Sequence, residues 1–249
     1  MKKLLTVLLL APILALANGS ELHLDKAPDK SGDQAALQNG AKLFVNYCLN
    51  CHSASYMRYN RLQDIGLTDT QIKDNLLFTA DKVGEPMRIA MQRADAKIWF
   101  GTAPPDLSLI ARSRASESGS GADWLYTYLR TFYRDPSRPS GWNNLVFENV
   151  GMPHVLWELQ GEQIAHFKEV DDGQGGKAKH FEKFEMVKEG SMKPADYDSA
   201  VADLVAYLKY MGEPIAGLRK KLGIFVLVGL GLLFALTYAL KREYWKDVH

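Results

Sequence analysis

The chain has 249 residues, 47% hydrophobic and 24% charged, a balance that excludes intrinsic disorder and fits one medium domain with appendages. Its formal net charge is +1, and no basic stripe of the kind that nucleic acid requires is present. Residues 18–218 alone carry 22 basic and 27 acidic side chains, net −5, so the positive charge is concentrated at the two ends.

Residues 1–17 read as a signal peptide: Lys2 and Lys3, an apolar run, then the small-x-small pattern Ala15-Leu16-Ala17. An uncleaved anchor is the alternative, but the run is short for a membrane span. Residues 18–32 are polar, include Pro28 and Gly32, and predict an extended strap. Asp33 opens a predicted helix in which Leu37, Gly40, Ala41, Phe44 and Tyr47 share one face. Gly40 in mid-helix costs about 1 kcal/mol relative to Ala, which a close helix crossing would offset.

The helix runs into Tyr47-Cys48-Leu49-Asn50-Cys51-His52-Ser53, which holds both cysteines of the chain. C-x-x-C-H is the pattern of covalent haem c attachment: two thiols one turn apart reach the two vinyl groups of one porphyrin, and the adjacent histidine falls under the iron. Zinc would need a second ligand pair, and a thioredoxin-like dithiol would follow a strand rather than a helix. The residues therefore predict one covalently attached haem c, with Cys48 and Cys51 as the thioether positions and His52 as an axial ligand. Attachment of haem c outside the cytoplasm in bacteria agrees with an export signal.

Further along, residues 71–78 and 95–100 predict short helices, and a Pro-rich turn follows at 101–106. Residues 107–113 and 123–132 predict two more helices, separated by a Ser- and Gly-rich loop. Residues 133–149, rich in Pro, Asn and aromatics, predict an irregular wrap with no assigned role. Residues 157–170 and 179–187 flank an Asp- and Gly-rich stretch, which predicts a β-hairpin with a mobile tip. An amphipathic helix then starts at Pro194, carries Tyr197, Val201, Leu204, Leu208 and Met211 on one stripe, and is closed by Gly212 and Pro214. Small haem c proteins cross their first and last helices at a glycine and aromatic pair, and this chain resembles them, with Gly40 and Phe44 set against Leu204 and Tyr207. Residues 222–240 are 19 residues without a charge, about 28 Å as a helix, and predict a membrane span. Basic residues flank it on both sides, so its orientation rests on the signal peptide.

The second axial ligand has several candidates. Met211 lies on a core stripe, and Met57, Met87, Met91 and Met186 fit core gap-filling. Met152, between Gly151 and Pro153, and Met192, two residues before Pro194, both sit in loops. Chemistry alone leaves Met152, Met192, His154 or an open site.

Taken together, Asn46 to Ser53, Tyr56-Met57-Arg58-Tyr59-Asn60-Arg61-Leu62, Pro104-Pro105-Asp106-Leu107-Ser108, the stretch 149–153 and the apolar tail resemble the cytochrome c1 family in its bacterial form. That family supplies the haem c subunit of the ubiquinol-cytochrome c reductase (bc1) complex. The resemblance covers nearly the whole mature chain and implies Met152 as the axial methionine. It also implies Arg114 and Trp124 near the haem propionates, with Arg112 as the rival of Arg114, and Pro105 orienting His52. The expected fold is mainly α: a cytochrome-c-like haem domain with loop and small β-hairpin insertions at 18–218, and a C-terminal anchor at 219–249. The expected function is electron transfer from a Rieske iron-sulphur protein to a cytochrome c, beside a cytochrome b. The haem domain would face the periplasm, on a single-pass anchor in the bacterial inner membrane. A tethered carrier feeding a terminal oxidase independently of bc1 is the alternative, and a single haem motif argues against a two-haem peroxidase.

Overall fold

The computed structural model describes residues 23–171 and 176–247. The expected signal peptide, residues 1–17, and residues 172–175 at the expected hairpin tip lie outside the described residues. From residue 23 the strap runs without regular structure to Asp33, and it is tied down rather than loose. The Asp25 and Ala27 amides donate to Thr127 Oγ1 and Asp123 Oδ1, at 2.8 and 2.9 Å. The Lys30 ammonium lies 2.6 Å from Asp203.

Helix α1 spans Gln34–Leu43 and starts where the sequence predicts, because the Asp33 carboxylate accepts the Ala36 amide. It does not end at its last α-helical turn. Phe44–Cys48 continues as a π-helical turn, with the Leu49 amide donating to the Phe44 carbonyl at 3.0 Å. Such wide turns are rare and occur often at functional sites. Helix α1 crosses the long helix Pro194–Gly212, labelled α7 below, whose predicted stripe from Tyr197 to Met211 is wholly buried. At the crossing, a Cβ on Gly40 would come within 2.7 Å of Tyr207 Cβ and would also collide with the Asp203 carbonyl. The Phe44 and Tyr207 rings meet at 5.6 Å. The expected crossing is therefore present, with Asp203 rather than Leu204 as the second close neighbour of Gly40.

Between α1 and α7 lie the smaller elements: β1 (Ala54–Arg58), a 3-10 segment (Tyr59–Ile65), α2 (Asp69–Asn75), β2 (Pro86–Met87), α3 (Arg93–Phe100), α4 (Ile110–Ser113) and α5 (Gly121–Arg130). Short pieces of β1 and β2 pair irregularly, which the sequence does not predict. Helix α2 begins two residues earlier than predicted and stops three earlier, because Thr68 and Gln71 form a reciprocal cap. The same device at Ser120 and Asp123 starts α5 two residues early. Only the last turn of the predicted helix 107–113 forms.

The stretch 133–149 is more ordered than predicted: β3 (Phe132–Arg134) and β4 (Trp142–Asn144) form a hairpin. After the short helix α6 (Trp157–Gln160), β5 (Gly161–Asp171) and β6 (Lys177–Glu189) make the long antiparallel hairpin expected from the sequence. Helix α8 (Ala216–Tyr244) contains the predicted span. It buries no residue, and among the described residues it is the one helix long and apolar enough to cross a membrane. The protein is thus a mainly α domain carrying small antiparallel hairpins, with one long apolar helix at its C-terminus.

Candidate haem site

The C-x-x-C-H run closes one tight turn behind the π-helical end of α1. The Cys48 carbonyl accepts the amides of Cys51 at 3.1 Å and His52 at 2.9 Å, which brings the two sulphur positions and the imidazole together. Both cysteines are free thiols. Burial, and then the nearby Cys51, push Cys48 up to about 12, and burial also raises Cys51. Both therefore sit in this fold as S–H groups and not as thiolates.

His52 is buried, and its Nδ1 lies 2.7 Å from the Pro105 carbonyl. Burial lowers its pKa, against the opposing effects of that carbonyl and of Asp106, so the ring is neutral with Nδ1–H as donor. The lone pair is then on Nε2, the tautomer a metal-bound histidine needs. Pro105 is held by the same short turn. The Leu107 amide donates to the Ser53 carbonyl at 2.9 Å, and the Ser55 amide donates to Asp106 Oδ2 at 2.8 Å. Asp106 also accepts the Ser108 amide, and these bonds hold its carboxyl below the usual range although burial works the other way. Beside Cys51 opens a cleft lined by Ser53, Ile89, Met91, Ala103 and Pro104.

Met152, Arg114 and Trp124 are brought together by a residue that the sequence reading missed. The Arg114 guanidinium lies over the Trp124 ring at 4.4 Å, and Trp124 stacks on Tyr128 at 4.7 Å. The half-buried Met152 accepts a hydrogen bond at Sδ from the Tyr128 hydroxyl, 3.4 Å away. The i, i+4 spacing of Trp124 and Tyr128 on one helix was the available signal. Arg112 points elsewhere, exposed and 3.9 Å from Glu213. Met192 is tied by its amide to the Leu159 carbonyl at 3.1 Å and has no polar partner at sulphur among the described residues. His154, the other candidate, stacks on Phe132 at 4.8 Å with Trp142 edge-on at 5.1 Å. Both its ring nitrogens are buried and without a hydrogen bond among the described residues.

The loop before Met152 is set by 133–149, the stretch to which the sequence assigned no role. Buried Asn144 donates to the Tyr128 carbonyl at 2.7 Å, and Asn143 Oδ1 accepts the Asn149 amide at 2.8 Å. Asn149 adopts φ 62°, a left-handed turn that asparagine tolerates, and Arg138 donates to its side chain and carbonyl. Two free thiols, a neutral imidazole with its lone pair on Nε2 and a half-buried thioether are the set that a covalently held haem uses.

A model of the Cytochrome C1 family matches residues 25–248. A cytochrome c1 from Allochromatium vinosum is 48% identical over the full length of both chains. A protein named ammonia monooxygenase gamma subunit, from Nitrosomonas europaea, is 50% identical over all of this chain and 98% of its own. A cytochrome c1 from Rhodospirillum rubrum is 29% identical over 87% of this chain and 83% of its own.

Proposed function

Because this chain belongs to the cytochrome c1 family, the electron-transfer haem c subunit of the bc1 complex, we propose that its one haem is held by Cys48 and Cys51 and ligated by His52 and Met152. Each thiol S–H would add across one vinyl group, the sulphur bonding one carbon and the hydrogen going to the other. The haem, when bound, supplies a one-electron change between ferric and ferrous iron. What the chain's own residues do is hold the two side chains that would take the iron: the Pro105 carbonyl fixes the His52 ring, and Asn143 and Asn144 of the 133–149 hairpin fix the loop that carries Met152. Such a site carries electrons and leaves no position for oxygen or peroxide. Arg114 is suited to a propionate, being cationic, half-buried and aligned on Trp124.

Residues 1–17 act as the export signal in this reading, 18–218 form the periplasmic haem domain, and 219–249 anchor it to the inner membrane. Cytochrome b and a Rieske iron-sulphur protein are its partners in the membrane, and a cytochrome c is the acceptor. The observation that carries the ligand assignment is the turn at Cys48, which brings two free thiols beside a histidine of fixed tautomer. A second reading comes from the Nitrosomonas europaea relative's name: the same carrier could serve an oxygenase assembly. Gentle solubilisation and affinity purification of the tagged full-length chain separates the two. Cytochrome b and a Rieske protein in the eluate support bc1, whereas monooxygenase subunits in their place would transfer the carrier to the other complex.

A further inference from the structure

Tyr128 is the one polar side chain aimed at the sulphur of Met152 among the described residues, and it is held there from several sides. Its ring stacks on Trp124 at 4.7 Å and meets Phe132 edge-on at 4.9 Å. Its backbone carbonyl is fixed by Asn144 at 2.7 Å, and the residue is buried. The hydroxyl is the donor in its contact with Met152, since a thioether sulphur carries no hydrogen to give. Its acceptor is Met152 Sδ at 3.4 Å. A thioether sulphur has two lone pairs and is a weak acceptor, so one pair can take the hydroxyl proton while the other remains free for a metal.

We propose that Tyr128 is a positioning residue for the axial thioether, whose hydroxyl orients Met152 Sδ and sets the haem potential by withdrawing electron density from the sulphur. The proposal rests on Met152 being the ligand. Ferric iron depends more on the donor strength of its ligands than ferrous iron does, so a sulphur weakened by a hydrogen bond destabilises the ferric state selectively. The hydroxyl therefore raises the potential. The stacked Trp124 contributes by preventing the phenol from swinging away, and Arg114 in turn lies over the Trp124 ring at 4.4 Å.

The test uses the full-length haem-loaded protein in detergent, compared as wild type, Tyr128→Phe, Tyr128→Leu and Met152→Leu. Tyr128→Phe keeps the ring and its stacking and removes only the hydroxyl. At a fixed ambient potential its ferric-to-ferrous ratio should rise about two- to tenfold, the range that one hydrogen bond of ordinary strength can supply. The upper limit corresponds to a fall of 59 mV for a one-electron couple. The near-infrared sulphur-to-iron band should persist in this variant, displaced in wavelength, because the ligand is retained. An unchanged potential in Tyr128→Phe, with a shift in Tyr128→Leu, would mean that the ring matters and the hydroxyl does not, and would overturn the proposal. Loss of the band in Met152→Leu together with an unchanged Tyr128→Phe protein would overturn the tuning role alone. Persistence of the band in Met152→Leu would overturn both the tuning role and the ligand assignment.

Discussion

A histidine that binds iron through one nitrogen is held in tautomer and orientation by what the other nitrogen donates to, and at His52 the Pro105 carbonyl is placed for this at 2.7 Å. The opposite ligand can be tested by deletion of sulphur. Met152→Leu should lose the near-infrared band and shift the potential downward, since a thioether favours ferrous iron, while Met192→Leu should do neither; the reverse pattern would reassign the ligand. Nearby, His154 gives a pH prediction of definite sign. Burial lowers it from 6.5 to about 4, with Gln160 reaching toward the ring without completing a hydrogen bond and Arg134 adding a small further depression. Between those two values the unfolded chain binds a proton that the folded one does not. Stability should therefore fall as pH drops through that window, by up to about 3 kcal/mol. Denaturant midpoints of the wild type and of His154→Leu, compared at about pH 7 and pH 4.5, measure it. An equal acid loss in both proteins would exonerate His154. At this scale the cysteines, His52 and both loop methionines were legible because their chemistry is local. Tyr128 was not, because a tyrosine on an amphipathic helix face reads as core until its neighbour across the fold is known.

Among the elements, the α1–α7 crossing organises the domain, and Gly40 permits it. Alanine is the better helix former by about 1 kcal/mol, yet here its methyl would enter the Asp203 carbonyl and Tyr207 Cβ. Gly40→Ala should therefore destabilise the domain by about 1–3 kcal/mol in spite of its propensity, as overpacking does elsewhere. Thermal unfolding followed by circular dichroism would reveal it; a raised midpoint would show that the helices can move apart without cost. Helical periodicity made α1, α5, α7 and α8 readable, since each has a sustained apolar stripe or run. The β1–β2 pairing, the 3-10 segment after it and the β3–β4 hairpin were not readable. Their strands are two to five residues long, and the segments around them are tied by side-chain bonds between residues distant in sequence, Ser53 accepting from the Ile89 amide and Asn144 donating to the Tyr128 carbonyl. The π-helical turn before Cys48 left no composition signature at all.

For the molecule as a whole, the long helix α8 buries nothing against the domain, with Phe225 75% and Leu236 70% exposed, so the domain does not depend on it for its core. Deleting residues 222–249 should release a soluble protein that still stains for haem on a denaturing gel, because thioether bonds survive denaturation. A truncated protein that stays with the membrane in the absence of its partners would point to a second anchor.

In the proposed reading, the anchor would keep the haem beside a partner that oxidises quinol. With both His52 and Met152 on the iron, as proposed, only electron transfer would be left to it, and its rate would depend on how near each partner comes and how it is oriented. In membranes, quinol should reduce this haem through the Rieske protein, and removing that protein should stop the reduction. Reduction that continues undiminished without it would end the assignment to bc1. The acceptor side adds an electrostatic expectation: residues 18–218 carry net −5, which would attract a basic cytochrome c across about 30 Å of solvent at 0.01 M salt. Screening shortens that reach to about 10 Å at 0.1 M salt, so the second-order rate to a basic acceptor should fall as ionic strength rises. Stopped-flow rates at several salt concentrations measure the slope. A flat profile would remove the steering by net charge and leave the carrier role intact, because the first step depends on the Rieske protein and not on the charge of the domain.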